Sequence, residues 1–189
     1  MHGGGIEAGT SELCLAIAGY HPATLEPATE TRGPVHDYWM FEGQRSADNR
    51  ELHVTARHCD DHVALSMAAS SLNVLSLHGC TAAQAGAPAG RPGAVVVGGR
   101  STAFQRRLTE ELTKAGFRTV DGAKLPDLNG DHVSNLCDRT VLGEGGTAGT
   151  HHGTARQHVR RQHPPGPPQE YERHVLGLRQ RLPRSRRAP

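Results

Sequence analysis

Two histidines and one glutamate have the types and surroundings of metal ligands. His2 and Glu7 flank a run of three glycines, and His78 follows an apolar stretch at residues 72–77. Two imidazoles and a carboxylate are a sufficient protein shell for a catalytic zinc ion, which keeps a fourth position open for water. The glycines allow positive φ angles and close backbone approach. We therefore expect the chain to bring these three side chains together.

Each motif has a simpler interpretation when it is taken alone. A glycine run beside a histidine is also typical of a flexible chain end, and a histidine before a glycine is often a turn residue. A phosphate-binding loop is a further alternative, but the chain contains neither GxxxxGK[ST] nor GxGxxG. The Arg50 guanidinium can hold a carboxylate bidentately, yet a solvated loop arginine is the commoner case.

Charge is distributed unevenly along the 189 residues. Up to Gly145 there are 12 Lys and Arg against 17 Asp and Glu, whereas residues 146–189 hold nine Arg and two acids. The chain has no apolar run of about 18 residues, so no membrane span is expected. Four dispersed cysteines exclude a CxxC zinc site but leave a Cys80–Cys137 disulfide open.

The spacing of apolar residues predicts an α/β fold, a mixed open sheet flanked by helices. Capping residues and apolar periodicity predict helices at about residues 10–19, 60–70 and 101–116, the first capped by Thr10 or Ser11. Strands are expected at residues 38–41, 52–55, 72–77, 94–97 and 117–120. The third strand delivers His78 at its end.

Both ends of the chain are expected to be incomplete. Ligands in α/β sheets sit at the carboxyl ends of strands, but almost no chain precedes His2 to form one. Residues 1–145 are predicted to form an incomplete domain, truncated at its N-terminus and without a C-terminal strand and helix. Residues 146–189, rich in Arg, Pro and His, are predicted to be a disordered basic tail.

A set of motifs in one order makes the chain resemble a known family. The motifs are His2-Gly-Gly-Gly-Ile-Glu7-Ala-Gly-Thr-Ser-Glu12, Phe41-Glu42-Gly43, Asn49-Arg50-Glu51-Leu52-His53-Val54-Thr55, Ser76-Leu77-His78-Gly79-Cys80, Val97-Gly98-Gly99 and Asn135-Leu136-Cys137-Asp138-Arg139. Together they resemble the poly-gamma-glutamate hydrolases, phage and bacterial zinc peptidases related in fold to the zinc carboxypeptidases. The resemblance covers about residues 2–145.

The resemblance implies roles for particular residues. His2, Glu7 and His78 match the ligands of Zn²⁺. Asn49 and Arg50 match the pair that binds a substrate carboxylate, and Asn135 and Arg139 match a second polar motif near the site. The implied substrate is poly-gamma-glutamate or a gamma-glutamyl peptide, cleaved at its amide bond with a separate glutamate as general base. No nucleic-acid or membrane partner is implied, and a monomer is expected.

The chain departs from the family after residue 145, where a strand like Val-Gln-Leu-Glu-Leu should carry the general base. Residues 146–155 read Gly-Thr-Ala-Gly-Thr-His-His-Gly-Thr-Ala instead. The codons GGT ACA GCT GGA ACT CAC encode the first six of these residues, and a shift by one base gives GTA CAG CTG GAA CTC, or Val-Gln-Leu-Glu-Leu. We therefore hypothesise a frameshift near residue 145, which sequencing across codons 143–150 would test.

Without the general base, this chain is expected to be unstable and inactive, with no catalytic residue of its own to name. One alternative is a remnant that binds zinc or glutamate polymer without cleaving it. Another is a nucleic-acid binder acting through its Arg-rich end, which would bind in a strongly salt-dependent way. The sequence leaves the compartment open.

Overall fold

The computed structural model describes residues 2–28, 35–87 and 93–151. In chain order, its helices and strands are β1 His2–Gly4, α1 Thr10–Ala18, β2 Phe41–Gly43, α2 His62–Ala69, β3 Leu75–Cys80, β4 Val95–Gly99, α3 Thr102–Lys114, β5 Thr119–Asp121 and β6 Gly146–His151. Short 3-10 turns lie at Asn49–Leu52, Ala56–His58, Gly122–Lys124 and Leu136–Asp138. In these ranges no helix has the length and apolar character needed to cross a membrane.

The strands form two sheets. The larger sheet has the order β3-β6-β4-β5, in which β3 runs parallel to β6, β6 antiparallel to β4, and β4 parallel to β5. The smaller sheet is the parallel pair β1-β2. The expected mixed α/β fold is therefore confirmed, and all three expected helices are present.

The core lies on the two faces of the larger sheet. On one face, Leu77, Val95 and Val97 pack with α1 and with apolar side chains of α3. On the other face, Val96 packs with Ala85 and with loop residues that follow β5. The four cysteines are free thiols, so the structure contains no Cys80–Cys137 disulfide.

Side chains cap two of the three helices, α2 and α3. Asp61 Oδ1 accepts hydrogen bonds from the backbone N–H groups of Val63 at 3.0 Å and Ala64 at 2.8 Å, and Ser101 caps α3. The cap predicted for α1 is wrong, because Gly9 occupies that position in a left-handed conformation. Thr10 lies inside the first turn instead, with its hydroxyl turned back toward the preceding loop.

Two predicted strands are wrong. Only Phe41 of residues 38–41 belongs to a strand, because Tyr38 packs edge-on against Tyr20 at 5.2 Å instead. Residues 52–55 do not pair with another strand either. The chain there leaves a 3-10 turn at Leu52, and the Val54 carbonyl is bound by the side chain of His2.

The prediction that disorder begins at Gly146 is wrong for residues 146–151. These residues form β6, which lies between β3 and β4 and hydrogen-bonds to both. The stretch is mostly Gly, Thr and Ala, so it shows no apolar alternation, and its pairing with two neighbours was not visible in the sequence. The remainder of the predicted tail, residues 152–189, lies outside the described residues.

The other strands are confirmed with shifted bounds. Strand β3 begins at Leu75 rather than at residue 72 and continues to Cys80. His78 therefore lies within this strand, and not after its end as predicted. Because β3 pairs with β6 throughout this range, the backbone that carries His78 is held by a neighbouring strand.

Candidate metal centre

The loop between β1 and α1 positions His2 and Glu7. Gly4 has a φ of 60° and lies so close to the backbone of β2 that a Cβ there would be 2.6 Å from the Gly43 carbonyl oxygen. Only glycine fits this turn without displacement. At the other end of the loop, the Thr10 hydroxyl donates to the carbonyls of His2 and Glu7, the latter at 2.6 Å. The two predicted ligands are thus fixed relative to each other.

The structure brings the three predicted zinc ligands together. His2, Glu7 and His78 each offer one ligand atom, and these atoms lie within 4.8 Å of one another. His2 Nδ1 lies 3.8 Å from Glu7 Oε1, and the rings of His2 and His78 have their centroids 6.2 Å apart. This arrangement suits a small cation held between two nitrogens and one oxygen.

The hydrogen bonds of the three side chains leave one ligand atom of each available. His2 Nε2 hydrogen-bonds to the Val54 carbonyl, and His78 Nε2 hydrogen-bonds to Ser76 Oγ at 3.0 Å. Glu7 Oε2 accepts from the Gly79 backbone N–H at 2.8 Å. Outer hydrogen bonds of this kind orient metal-binding imidazoles and carboxylates.

The atom left over on His2 is the strongest sign of a metal. His2 is 1% exposed, and its Nδ1 has no hydrogen-bond partner among the described residues. A buried nitrogen without a partner is costly unless something binds it. Because this nitrogen faces a carboxylate oxygen and lies near a second imidazole, the donor set fits Zn²⁺.

Burial keeps the imidazoles of the two candidate ligands His2 and His78 neutral near pH 7. It lowers the pKa of His2 to about 4 and the pKa of His78 to about 3. Burial also raises the pKa of Glu7. Neutral imidazole is the form that binds metal, and a bound cation would compensate the charge of the buried carboxylate. The site is therefore ready for a cation at neutral pH.

These pKa shifts predict how acid destabilises the metal-free chain. Between pH 6.5 and about 4 the unfolded chain binds protons on His2 and His78 that the folded chain does not. The free energy of unfolding should fall as the pH drops through this range, by up to about 1.4 kcal/mol per pH unit for each histidine. The raised pKa of Glu7 has the opposite sign and offsets part of this loss.

Urea unfolding at a series of pH values from 7 to 5, with a chelator present, measures this slope. The variant His78→Ala should give a shallower slope than the original chain. An equal slope in the two proteins would contradict the assignment of His78 as a buried neutral imidazole.

The motif analysis assigns no role at this site to a third imidazole, that of His53. His53 Nε2 lies 3.6 Å from Glu7 Oε1, and its ring lies 4.2 Å from that of His2 with an interplanar angle of 31°. His53 belongs to one of the motifs that carry the family resemblance. It was assigned only to a strand, and since that strand does not exist, its side chain is free to face the site.

Asn49 packs against the loop that carries the ligands. Its side chain accepts from the Arg45 backbone N–H at 2.9 Å and donates to the Arg45 carbonyl at 2.8 Å. A Cβ added at Gly5 would lie 2.4 Å from the Asn49 amide nitrogen. Arg50, the next residue, is exposed and makes no ion pair within the described ranges. Its guanidinium is thus available to a ligand.

Asn135 and Arg139 make hydrogen bonds within their own turn, and among the described residues neither makes one to His2, Glu7 or His78. Asn135 is buried, and its side chain donates to the Gly130 carbonyl at 3.2 Å and accepts from the Cys137 N–H at 3.3 Å. Arg139 Nε donates to the Ser134 carbonyl at 3.2 Å. These contacts describe a folded turn, and the substrate role predicted for the two residues stays a prediction.

The hydrogen bond of Asp138 shows where the turn at residues 135–139 lies relative to β3. Its carboxylate accepts from the Gly145 N–H at 2.9 Å, and the next residue, Gly146, donates to the Val74 carbonyl at 3.0 Å. Val74 directly precedes β3. The turn therefore lies beside the start of β3, whereas His78 lies in its second half.

Strand β6 passes directly beside His78. Gly149 is its partner in the parallel register, and Thr150 Oγ1 donates to the His78 carbonyl at 3.3 Å. The position that should carry the general base in the shifted reading frame is thus occupied by a residue without a side chain. The strand is present, but the carboxylate expected on it is not.

A cavity of about 370 Å³ lies apart from the metal centre. It is lined by residues of α1, α2 and the first half of β3, together with Trp39 from the segment before β2 and Phe104 from α3. Its lining includes none of the three predicted ligands. The lining is mostly apolar, which does not suit a polymer that carries a carboxylate on every residue.

Comparison with known proteins supports the family resemblance. YndL of Bacillus subtilis (strain 168) is 33% identical over 120 residues, which are 64% of this chain and 38% of YndL. The SPbeta prophage-derived protein YoqZ of the same organism is 28% identical over 142 residues, 75% of this chain and 43% of YoqZ. This chain therefore spans less than half the length of these curated relatives.

Two solved structures share the fold. A bacteriophage poly-gamma-glutamate hydrolase matches with a TM-score of 0.63 at 22% identity, over 82% of this chain and 64% of that one. A zinc-free apo structure of YndL matches with a TM-score of 0.64 at 28% identity, over 83% of this chain and 66% of that one. The family description poly-gamma-glutamate hydrolase fits residues 1–146. Because this match covers more than half of the chain, the chain belongs to the poly-gamma-glutamate hydrolase family.

Proposed function

We propose that the His2, Glu7 and His78 cluster binds one Zn²⁺ and that the site acts on gamma-glutamyl amide bonds. The observation that carries this proposal is the buried, unpartnered Nδ1 of His2, which faces Glu7 Oε1 at 3.8 Å. A bound zinc ion would supply Lewis acidity toward the amide carbonyl and would lower the pKa of a water molecule. Family membership supplies the substrate class.

The chain's own residues would hold the metal and one end of the substrate. His2 is oriented by the Val54 carbonyl and His78 by Ser76, so their neutral imidazoles are fixed before a metal arrives. Arg50 would bind an alpha-carboxylate of the polymer, because it is exposed and follows Asn49, which packs on the ligand loop. A planar guanidinium suits a carboxylate in a bidentate arrangement.

The sequence predicts an inactive chain, but because the three candidate ligands lie together, we propose slow hydrolysis instead. Loss of a proton-transfer group typically lowers the rate by about 10²–10⁴-fold, and Gly149 offers no such group beside His78. The same observation favours a second candidate function, a non-catalytic protein that binds zinc or glutamate polymer. The family match ends at residue 146, close to the hypothesised frameshift, which stays a hypothesis.

Incubation of the zinc-loaded chain with poly-gamma-glutamate tests these functions. The release of new amino groups and the binding of the polymer are measured together, with His78→Ala as control. We expect polymer binding with weak, zinc-dependent cleavage. Binding of the polymer with no cleavage would favour the non-catalytic candidate. If the chain bound neither zinc nor the polymer, both candidate functions would be contradicted.

Replacement of Arg50 should weaken substrate binding. Arg50→Ala removes a charged hydrogen-bond donor that is worth about 1.5–3 kcal/mol, so the Kd for a gamma-glutamyl peptide should rise about 10- to 100-fold. Arg50→Lys should restore only part of this affinity, because an ammonium group cannot bind both carboxylate oxygens in one plane. Calorimetric titration measures both variants.

Arg57→Ala provides the matched control, since Arg57 is an exposed arginine in the next 3-10 turn. It should leave the affinity for the peptide unchanged. A loss at Arg57 equal to that at Arg50 would mean that the peptide responds to general positive charge and not to a specific anchor.

The remaining sequence predictions are not addressed by the described residues. The Arg-rich stretch on which the nucleic-acid alternative rests, residues 152–189, lies outside them. Binding of nucleic acid that falls steeply with salt and disappears when this stretch is deleted would support that alternative. The monomeric state stays an expectation that sedimentation can test.

A further inference from the structure

His53 is the group next to the metal centre to which neither the motif analysis nor the family match assigns a role. We propose that His53 is a positioning residue, which holds His2 and Glu7 in the arrangement that binds the metal. This inference rests on the proposed zinc site. It concerns the side chain packed outside the ligands and not the ligands themselves.

The first contact is with His2. The two rings lie with centroids 4.2 Å apart and an interplanar angle of 31°, so His53 covers one face of the His2 imidazole. The edge of the same imidazole is held by the carbonyl of Val54, the residue next to His53. Two consecutive residues therefore fix both the plane and the tautomer of His2, with Nδ1 left toward Glu7.

The second contact is with Glu7. His53 Nε2 lies 3.6 Å from Oε1, the carboxylate oxygen that lies 3.8 Å from His2 Nδ1. The other oxygen, Oε2, is bound to the Gly79 N–H. His53 thus limits the movement of the oxygen that faces the candidate metal position, while the Gly79 N–H holds the other oxygen.

His53 is more exposed to solvent than the two side chains it contacts. Its side chain is 41% exposed, whereas the side chains of Glu7 and His2 are 13% and 1% exposed. It is not among the three residues whose ligand atoms lie within 4.8 Å of one another. His53 is therefore a more exposed neighbour of the three candidate ligands and is not one of them.

The segment that carries His53 is itself held in place. The His53 backbone N–H donates to the Arg50 carbonyl at 3.1 Å, and Asn49 ties the start of the turn to Arg45. Because these hydrogen bonds hold the turn in place, the His53 side chain can restrict the movement of His2 and Glu7. Partners of this outer type typically change metal affinity about 10- to 100-fold when they are replaced.

Three variants separate the contacts of His53. His53→Ala removes both, His53→Phe keeps a flat ring against His2, and His53→Gln keeps an N–H group that can reach Glu7. The Kd for Zn²⁺ is measured by competition with a chromophoric chelator in the full chain. We expect the alanine variant to lose about 10- to 100-fold in affinity, and each conservative variant to retain more than alanine does.

His62→Ala is the control, since His62 is an exposed histidine at the start of α2. If His53→Ala lost no more affinity for Zn²⁺ than this control, the inference would be overturned, and the proposed zinc site would not be affected. No zinc binding by the original chain would contradict the proposed function instead. Equal losses in all three His53 variants, with unchanged circular dichroism, would also overturn the inference, because neither contact would then restore affinity.

Discussion

Replacement of Gly149 by glutamate should raise the hydrolysis of poly-gamma-glutamate by about 10²–10⁴-fold, the usual contribution of a proton-transfer group. Gly149 pairs with His78 in the parallel register of β3 and β6. In the shifted reading frame, the glutamate of Val-Gln-Leu-Glu-Leu falls at this position. One substitution would therefore return the missing carboxylate to the strand beside the metal centre.

The geometry at Gly149 allows a side chain. A Cβ there would lie 3.5 Å from the Cβ of Val96 and 3.9 Å from the Sγ of Cys80, which are ordinary contacts. Cys80 follows His78 by two residues on one strand, so both side chains point to the same face of the sheet. A side chain at position 149 thus points to the face that carries His78.

Gly149→Gln is the matched control, because it has nearly the same shape and no carboxylate. The rate at which new amino groups appear should rise for the glutamate variant and stay low for the glutamine variant. Equal rates in the two zinc-loaded proteins, both folded by circular dichroism, would show that a base at this position is not what the chain lacks.

Replacement of His78 by alanine should have the largest effect on metal binding. Only His2 and Glu7 would remain of the three groups whose ligand atoms lie within 4.8 Å. We expect the Kd for Zn²⁺ to rise by more than about 100-fold, beyond the 10- to 100-fold range typical of outer-shell partners. Competition with a chelator measures this change.

The expected loss at His78 is specific to the side chain. His78 lies within a strand that is paired along its length with β6, so alanine there should leave the sheet intact. His58→Ala, in an exposed 3-10 turn outside the cluster, should bind zinc as the original chain does. Retention of normal zinc affinity by His78→Ala would remove the central ligand assignment.

The proximity of His2, Glu7 and His78 could be predicted from the sequence because the loop and the strand that carry them leave short motifs. The glycine run beside His2 is required by the close approach of Gly4 to Gly43. The apolar run before His78 predicts a strand, and β3 is present. A site that is built on a tight loop and a buried strand can therefore be predicted from the glycine run in the loop and the apolar run in the strand.

The predictions that were wrong concern segments whose structure depends on contacts with residues far away in the chain. Strand β6 is held by backbone pairing to β3 and β4, and its glycine and threonine residues carry no periodic pattern. The unpaired stretch after Leu52 is apolar enough to resemble a strand. Its course is set by the Val54 carbonyl, which binds the His2 side chain 52 residues earlier in the chain.

Residue type alone also did not distinguish polar side chains that stabilise a turn from polar side chains that are available to bind substrate. Asn49 has both polar atoms of its side chain bound to the Arg45 backbone, and Asn135 is similarly bound within its own turn. Neither Arg50 nor Arg139 has an ion pair in the described part of the chain, but Arg139 Nε donates to the Ser134 carbonyl, whereas the Arg50 side chain makes no hydrogen bond there. Distinguishing these cases required the hydrogen bonds of the folded chain.

The central claim is that one zinc ion lies between His2, Glu7 and His78. Crystals of the zinc-loaded protein, measured at the zinc absorption edge, test it most directly by locating the anomalous scatterer. We expect one strong peak about 2.0–2.2 Å from His2 Nδ1, Glu7 Oε1 and a ring nitrogen of His78. A peak at any other group of residues, or no peak after loading with excess zinc, would contradict it.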